Sequence, residues 1–318
     1  MSEPISISII LCTCNRPAGL AESLAALAKV RIKPEWQTEL LVVDNAPAET
    51  SAAVVRGLKA GNFEIVYVPE PKKGKSNALN TGLARARGEI ILFTDDDVIV
   101  PEDWVEQMMG AFARSKCDAV VGHIVLAEEM QRAWLTPLQK WWLAAPESQS
   151  EDAAELIGAN MGFRKSVLAK VAGYDPELGP GSLGRGEESL FSAQLVEAGF
   201  KIAFAKEAVV VHNPGVARLQ RGEWLAMARK LGQQEAYLDY HWRHTDVLWP
   251  RVKSFWYRAK LNLRRKLQPP PPLTSEGCPA WESSYERSLA MSEQFCIEQR
   301  RARQYARRGL VKLQGINR

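Results

Sequence analysis

The sequence predicts an α/β fold, a doubly wound, mostly parallel sheet followed by a helical C-terminal extension. Three observations predict it. Short apolar runs alternate with helix-period segments through the first hundred or so residues, the pattern of strands joined by crossover helices. One such run, Ile90-Ile91-Leu92-Phe93, shows no polar alternation and is therefore a strand buried on both faces, as in a parallel sheet; it ends in three consecutive carboxylates, Asp95, Asp96 and Asp97. The charge balance also shifts along the chain. Residues 1–214 hold 21 Lys and Arg against 28 Asp and Glu, net −7, whereas residues 215–318 hold 20 against 9, net +11, with five of the ten tryptophans.

The elements follow in order. Ile5–Leu11 is an apolar strand, and Pro17–Val30 a helix with Leu20, Leu24, Leu27 and Ala28 on one face. Glu39–Val43 is a strand ending in Asp44-Asn45; Thr50–Ala60 is helical and Phe63–Val68 a third strand. Ser76–Arg87 is a helix, with Ser76 as its N-cap, Leu79, Leu83 and Ala86 on one face, and Gly88 closing it. After the strand into Asp95, Pro101–Ser115 is an amphipathic helix, and Ala119–Leu126 a strand at which the sheet direction is open to reversal. The pattern loosens from Trp134 to Ser150, where Trp141-Trp142 and Pro146 mark a mobile or binding loop. Gly158–Phe163 is a short strand, Lys165–Val171 a helix, Gly173–Gly186 a glycine-rich loop, Ser189–Ala198 a helix and Ala208–Val211 a strand ending at His212. Beyond Gly222 the chain is helical and basic, broken at Pro269–Pro272. There are no internal repeats.

A chain of 318 residues accommodates one large domain or two smaller ones, and the charge shift divides it into 1–215 and 216–318. No window approaches the ~20 apolar residues of a membrane span. Met1-Ser2-Glu3-Pro4 leads directly into a strand without the basic and apolar segments of a signal peptide, so a cytoplasmic location is expected. The five scattered cysteines suit a reducing compartment, and Cys12 and Cys14 are two strand-end thiols rather than half of a zinc site.

In an open α/β sheet, ligands bind in the crevice beyond the carboxyl ends of the strands. Three like charges there call for a cation, and hard oxygen ligands suit Mg2+ or Mn2+, ions that commonly serve a phosphate group. The bland alternative is an acidic turn capping the helix after Pro101.

A series of motifs carries a family resemblance: Ile10-Leu11-Cys12-Thr13-Cys14-Asn15-Arg16-Pro17, Val42-Val43-Asp44-Asn45, Lys73-Gly74-Lys75-Ser76-Asn77-Ala78-Leu79-Asn80-Thr81-Gly82, and Thr94-Asp95-Asp96-Asp97. It continues through Gly158-Ala159-Asn160-Met161-Gly162-Phe163-Arg164, Gly173-Tyr174-Asp175, Gly186-Glu187-Glu188 and Val210-Val211-His212. Over roughly the first 215 residues the chain resembles family 2 glycosyltransferases; each motif is weak alone, and their order is what identifies the family. The resemblance implies a GT-A-type nucleotide-binding sheet, a nucleoside diphosphate sugar donor, a hydroxyl acceptor and a Mn2+ or Mg2+ cofactor.

The same resemblance assigns site residues. Thr13, Asn15 and Arg16 lie where the first strand opens and a helix N-terminus can face anionic groups; turn chemistry and capping are the alternative for Thr13 and Asn15. Asp44 accepts from a base imide N–H or ribose hydroxyls, or else caps its own loop. Lys75 and Asn77, in and after the Lys73-Gly74-Lys75 loop, contact base or phosphates, unless that loop is a solvated basic run. Asp95 and Asp97 match a D-x-D motif in which Asp97 ligates the metal, Asp95 contacts ribose or metal, and Asp96 fills the variable position. His212 either completes the metal site or is a hydrogen-bonded strand-end histidine. The family places its catalytic base in a Gly-Glu-Asp motif, which here reads Gly186-Glu187-Glu188. Glu188 stands at the Asp position with one methylene more, and Glu187 remains the alternative base.

These readings point to an inverting, metal-dependent glycosyltransferase acting in cell-surface polysaccharide or glycolipid synthesis. A nucleotidyltransferase is the enzymatic rival, but it would carry a glycine-rich phosphate loop where Thr13-Cys14-Asn15-Arg16-Pro17 stands; a non-catalytic nucleotide- or carbohydrate-binding scaffold is the other. No Gln-x-x-Arg-Trp string supports a processive synthase. The basic extension sets Trp242, Trp249 and Trp256 near Arg243, Arg251, Lys253, Arg258, Lys260, Arg264, Arg265 and Lys266, which suits an anionic membrane surface and a lipid-linked acceptor. The alternative is a helical cap whose tryptophans pack inward; no nucleic-acid motif is present, and nucleic acid is not an expected partner.

Overall fold

The computed structural model describes residues 5–58, 63–147 and 155–313. Residues 1–4, the end of the helix expected to reach Ala60 and the end of the segment expected to reach Ser150 lie outside the described residues. The chain divides into two compact units, one formed by Met1–Pro176 with Glu187–Pro214, the other by Glu177–Gly186 with Gly215–Arg318.

The first unit holds β1 (Ser6–Thr13), α1 (Pro17–Leu27), β2 (Gln37–Asp44), α2 (Ala52–Gly57), β3 (Glu64–Pro69), α3 (Lys75–Arg85), β4 (Ile90–Asp95), β5 (Val98–Ile99), α4 (Trp104–Ser115), β6 (Ala119–Leu126), α5 (Pro137–Trp142), β7 (Met161–Arg164), α6 (Glu187–Glu197) and β8 (Ile202–His212). The strands form one eight-stranded sheet in the order β3-β2-β1-β4-β7-β6-β8-β5. β1 runs parallel to β2 and β4, and β2 parallel to β3. Ile7, Ile9, Ile10, Leu11, Leu40–Val43 and Ile90–Phe93 are all buried, so neither face of this sheet centre meets water.

Several local expectations are corrected. Ala119–Leu126 does not reverse the sheet: β6 is parallel to β8, and the reversals belong to β7, antiparallel to both β4 and β6, and to the short edge strand β5, antiparallel to β8. Alternation within a strand carries no information about its direction, so the sequence left this open. Ser76 does not cap α3. It is buried inside the helix, and Gly74 occupies the N-cap at φ +124°, where a side chain would strain the backbone. The helix closes at Ala86 rather than Gly88. Part of the segment expected as a loop from Trp134 is the short helix α5, whose Thr136 and Gln139 form a reciprocal capping box ahead of Pro137 at its first turn. The helix expected from Ser189 starts two residues earlier, so Glu187 and Glu188 form the first turn of α6. β8 is longer than Ala208–Val211 and takes a bulge opposite Gly122/His123.

The second unit holds α7 (Arg221–Tyr237), which runs on into a π-helical turn at Leu238–Arg243, then α8 (Pro250–Leu267) and α9 (Ala280–Glu298). Both α7 and α8 pack on α9. Much of the basic excess is used internally. Arg221 donates in bidentate fashion to Glu282, which is fully buried, and Arg265 adds bonds to Glu282 and Glu286. Arg229 spans Glu286 and Glu293, and Arg258 also reaches Glu293. Removing one member of the buried Arg221–Glu282 pair costs about 3–5 kcal/mol. Trp224 and Trp242 are buried, whereas Trp249 is 73% and Trp256 49% exposed; the expectation that grouped Trp242 with Trp249 and Trp256 at a surface is corrected for Trp242. No helix among the described residues is long and apolar enough to cross a membrane.

Glu177, in the short segment that joins this unit, accepts from Arg301 Nη2 at 2.6 Å and Lys312 Nζ at 2.9 Å. Burial opposes its charge, but the two cations prevail and hold its pKa at about 2, below the ordinary 4.5. A carboxyl depressed in the folded state adds stability that is complete above its unfolded pKa and lost as pH falls through the folded value. Glu177→Gln should therefore lower stability at neutral pH by about 1 kcal/mol after solvent screening. Its deficit against the parent should shrink as pH falls from about 5 towards 2, measured by urea unfolding across a pH series. An unchanged deficit at low pH would exclude this ion pair as the source.

Candidate active site

Sheet register assembles the site. Across the carboxyl ends of three adjacent strands, Asp44 of β2 pairs with Thr13 of β1, and Cys12 of β1 pairs with Asp95 of β4. On the far side, β5 follows Asp97 at once and pairs Val98 with His212, while the Asn213 N–H donates to the Asp97 carbonyl at 2.8 Å. Strand ends distant in sequence are thereby brought to one edge, where parallel α/β sheets bind ligands.

The carboxylate run is met by cations from two elements. Arg16, the N-cap of α1, donates through Nη1 to Asp96 at 2.9 Å and to Asp97 at 2.8 Å. The Thr13 hydroxyl donates to the other Asp96 oxygen at 2.7 Å. Burial pushes the Asp96 carboxyl up to about 6 even though Arg16 and Thr13 pull it back. Lys75, the first residue of α3, lies 2.9 Å from Asp95 and 3.3 Å from Glu188 Oε1. Burial disfavours its ammonium, but Asp95 and Glu188 outweigh that and hold its pKa well above the ordinary lysine value.

His212 faces the run from β8. Its Nδ1 lies 2.9 Å from the Leu143 carbonyl, which can only accept, so Nδ1 carries a proton. Nε2 then faces Asp97 Oδ1 at 3.4 Å. In the neutral ring two acceptors would oppose each other, and a proton or a cation between them removes the conflict. Burial alone would raise the Asp97 carboxyl; the hydrogen bond and charge of His212, with Arg16, hold it far below the usual carboxylate range. A hard divalent ion fits this donor set, a carboxylate beside an imidazole whose outer nitrogen is already oriented by a carbonyl. Among the described residues no three His, Cys, Asp or Glu side chains converge as a ready-made metal cluster; Arg16 and Lys75 occupy the carboxylates instead.

Glu187 and Glu188 sit in the first turn of α6, where the helix dipole favours carboxylates. They are not equivalent: Glu187 is buried, while Glu188 reaches Lys75 and keeps 19% of its side chain exposed.

Thr13, Arg16, Lys75, Asp95, Asp96, Asp97, Glu188 and His212 therefore form a connected set. Three further expected residues point elsewhere. Asn15 is exposed, in a left-handed conformation at φ +56°, and among the described residues its amide meets only the Cys14 sulfur. Asn77 donates to the Lys73 carbonyl and so braces its own loop. The Asp44 carboxylate accepts from the Ala46 and Ser51 N–H groups and the Tyr67 hydroxyl, each at 3.0 Å, so the capping role is present. Three bonds leave room for one more on a carboxylate's roughly four lone-pair positions.

The sequence reading missed the residues that hold the site in shape. Asn45 donates to the Glu70 and Lys72 carbonyls and accepts from the Gly74 N–H, fixing the loop that presents Lys75. Asn80 exchanges two bonds with the Tyr174 backbone. Tyr67 lies inside the expected third strand, Phe63–Val68, and its hydroxyl meets the strand-end Asp44 of β2.

The sequence profile described as Glycosyl transferase family 2 matches residues 8–172. The succinoglycan biosynthesis protein ExoM of Rhizobium meliloti is 30% identical over 235 residues, covering 72% of this chain and 73% of that protein. The pre-mycofactocin glycosyltransferase of Mycobacterium tuberculosis is 26% identical over 257 residues, 78% of this chain but 50% of the relative. Among solved structures, the mannosyltransferase PcManGT from Pyrobaculum calidifontis, in complex with GDP-Man and Mn2+, superposes with a TM-score of 0.58 at 17% identity, over 91% of this chain and 86% of that one. S. aureus TarS 1-349 in complex with UDP gives 0.50 at 17% identity, over 83% and 72%. Both likenesses are of fold, that of the GT-A glycosyltransferases.

Gly158 makes room for Glu188: a Cβ there would lie 2.1 Å from Glu188 Oε1 and 3.1 Å from Lys75 Nζ. Gly158→Ala should push aside the Glu188 carboxylate, the far end of a flexible side chain, at a cost near the low end of overpacking, about 1 kcal/mol. The cost should fall by more than half in a Glu188→Ala background, because the obstructing atom is gone. A double-mutant cycle of thermal or urea unfolding reads this coupling; additive effects would show that the glycine serves something other than the carboxylate.

Proposed function

The chain belongs to glycosyl transferase family 2 and is a glycosyltransferase, and from that premise we propose that it moves one sugar, with inversion, from a nucleoside diphosphate sugar to a hydroxyl acceptor, with Glu188 as general base. The observation that carries the proposal is Lys75 Nζ standing between Asp95 and Glu188, which ties the helix-borne carboxylate to the strand-end carboxylates in one cluster. Inverting transfer needs a base on the acceptor oxygen as it attacks the anomeric carbon from the face opposite the departing diphosphate. Glu188 is partly open to solvent and held by Lys75, while Glu187 is buried, which favours Glu188 for that proton. The ligands of the structural neighbours, GDP-Man and UDP, support a nucleoside diphosphate donor.

In this reading Thr13, Asn15, Arg16, Asp44, Lys75, Asn77, Asp95 and Asp96 serve the donor. Asp44 meets base or ribose with its remaining acceptor position, Asn15 stands at the exposed mouth, and Asn77 acts through the loop it braces. Arg16 and Lys75 supply positive charge beside the phosphates. Asp97 and His212 would hold Mn2+ or Mg2+, which when bound neutralises charge on the leaving diphosphate as a Lewis acid. The name of the succinoglycan relative supports work in polysaccharide synthesis; an acceptor carried on lipid and met at an anionic membrane surface is the reading suggested by the basic, tryptophan-bearing extension.

A thermal-shift panel of nucleoside diphosphates and their sugars, with and without Mn2+, tests the donor class, since a ligand that binds only the folded state raises stability by RT ln(1 + [L]/Kd). Asp97→Asn should abolish turnover and metal-dependent nucleotide binding while leaving the melting transition cooperative. Unchanged activity in Mn2+ would remove Asp97 from the metal site. Glu188→Gln should leave donor affinity nearly intact and slow transfer by roughly 10²–10⁴, with Glu187→Gln costing far less in the same single-turnover assay. Reversed effects would move the base to Glu187.

A further inference from the structure

Helix α8 presents an apolar stripe that nothing in its own unit covers. Val252, Trp256, Leu263 and Leu267 recur at helical spacing with Phe255 beside them, Leu248 and Trp249 stand just ahead of the helix, and the exposures of all seven run from 49% to 75%. The opposite side of α8 is the one that packs. Leu261 is its one buried residue, Arg265 bonds to Glu282 and Glu286 of α9, Arg258 bonds to Glu293, and Arg264 stacks over Trp281 and Tyr285. Those contacts fix the helix with its stripe outward.

The stripe is bordered by cations. By helical geometry Lys253 and Lys260 lie along one margin, and Arg251 and Lys266 along the other. Arg251, Lys253 and Lys266 are exposed and make no ion pair with any described residue. Lys260 Nζ lies 3.5 Å from the Trp256 ring centroid, so that even this charge is held beside the aromatic surface. α8 itself contains no Asp or Glu. A surface of tryptophan, phenylalanine and leucine edged on both sides by unpaired cations is complementary to an anionic lipid interface: apolar groups enter the headgroup region while Lys and Arg remain at phosphate level. A protein partner of matching shape would need a carboxylate rim, whereas a lipid surface meets the whole 18-residue helix at once.

We infer that α8 lies flat on an anionic membrane and inserts Trp249, Phe255 and Trp256 among the headgroups, making it the element through which the protein meets lipid. The inference deepens the membrane part of the proposed function but stands on the second unit alone, independent of the chemistry at Glu188.

Co-sedimentation of the full chain with vesicles of phosphatidylcholine, with and without phosphatidylglycerol, tests it. The parent should bind anionic vesicles, ignore neutral ones and lose binding as salt rises. Trp249→Ser combined with Phe255→Ser should weaken binding by about tenfold or more, and Lys253→Glu combined with Lys260→Glu should do so mainly at low salt. Trp249, Phe255 and Lys253 are exposed and Lys260 is half-buried without an ion pair to any described residue, so unchanged melting transitions should accompany both pairs. Asp97→Asn should bind vesicles like the parent, and both α8 double variants should keep transfer to a water-soluble acceptor, which separates failure of the anchor from failure of the catalytic reading. Parent protein that stays in solution with anionic vesicles overturns the inference. So does a Trp249/Phe255 variant that sediments undiminished. A concentration-dependent dimer lost in that variant, without vesicle binding, would assign the face to a second copy of the chain instead.

Discussion

Three carboxylates in succession at the end of a buried strand constrain everything around them. At about 4 Å, like charges near a protein surface repel by roughly 4 kcal/mol, and Asp95, Asp96 and Asp97 can remain together only where opposite charge is supplied. The chain supplies it through Arg16, which precedes Asp96 by 80 residues, and Lys75, which precedes Asp95 by 20, while His212 faces Asp97 from the last long strand of the sheet. Each is at the boundary of its element, at the N-cap of α1, the first turn of α3 and the end of β8. The groups that meet the carboxylates thus stand where two helices begin and where one strand stops.

Around this charged centre the supporting structure is built largely from side-chain amides. Asn45 ties β2 to the loop before α3, and Asn80 ties α3 to the Tyr174 backbone. Asn160 is fully buried: it donates to the His123 and Ala208 carbonyls beside the β6–β8 bulge and accepts from the Trp104 indole. An amide suits these posts because it satisfies donors and acceptors together without adding charge, and a buried polar group left unpaired would cost about 1–3 kcal/mol. Carboxylates in the same places would have deepened the repulsion at the centre.

The sheet was legible in the sequence because its central strands are apolar on both faces and its strands alternate with helical periodicity. The position of the carboxylates at a strand end was legible for the same reason. Strand direction was not: β7 is four residues long and pairs antiparallel on both sides, an outcome of tertiary register that no local pattern encodes. α5 was obscured because two adjacent tryptophans and a following proline suggested a loop, while its capping box rests on a threonine and a glutamine that look unremarkable in isolation. The amide braces were illegible on similar grounds, since an asparagine at a strand end looks the same whether it meets a ligand or a backbone carbonyl. In the extension, composition revealed the excess of cations and tryptophans but not their division between interior and surface, which depends on α9 supplying Glu282, Glu286 and Glu293 to Arg221, Arg229, Arg258 and Arg265.

The passage of Glu177–Gly186 into the helical unit before the chain returns to finish the sheet has a consequence for biosynthesis. On the ribosome, Glu177 emerges 124 residues before Arg301 and 135 before Lys312. At a translation rate of about 5–20 residues per second, it waits roughly 6–27 s for its partners. During that interval the segment belongs to a unit that does not yet exist, and the last strand of the sheet must be threaded in behind it. Co-translational folding of this chain is therefore interleaved rather than sequential, and cutting the gene at the composition boundary would strand a ten-residue piece of the second unit inside the first.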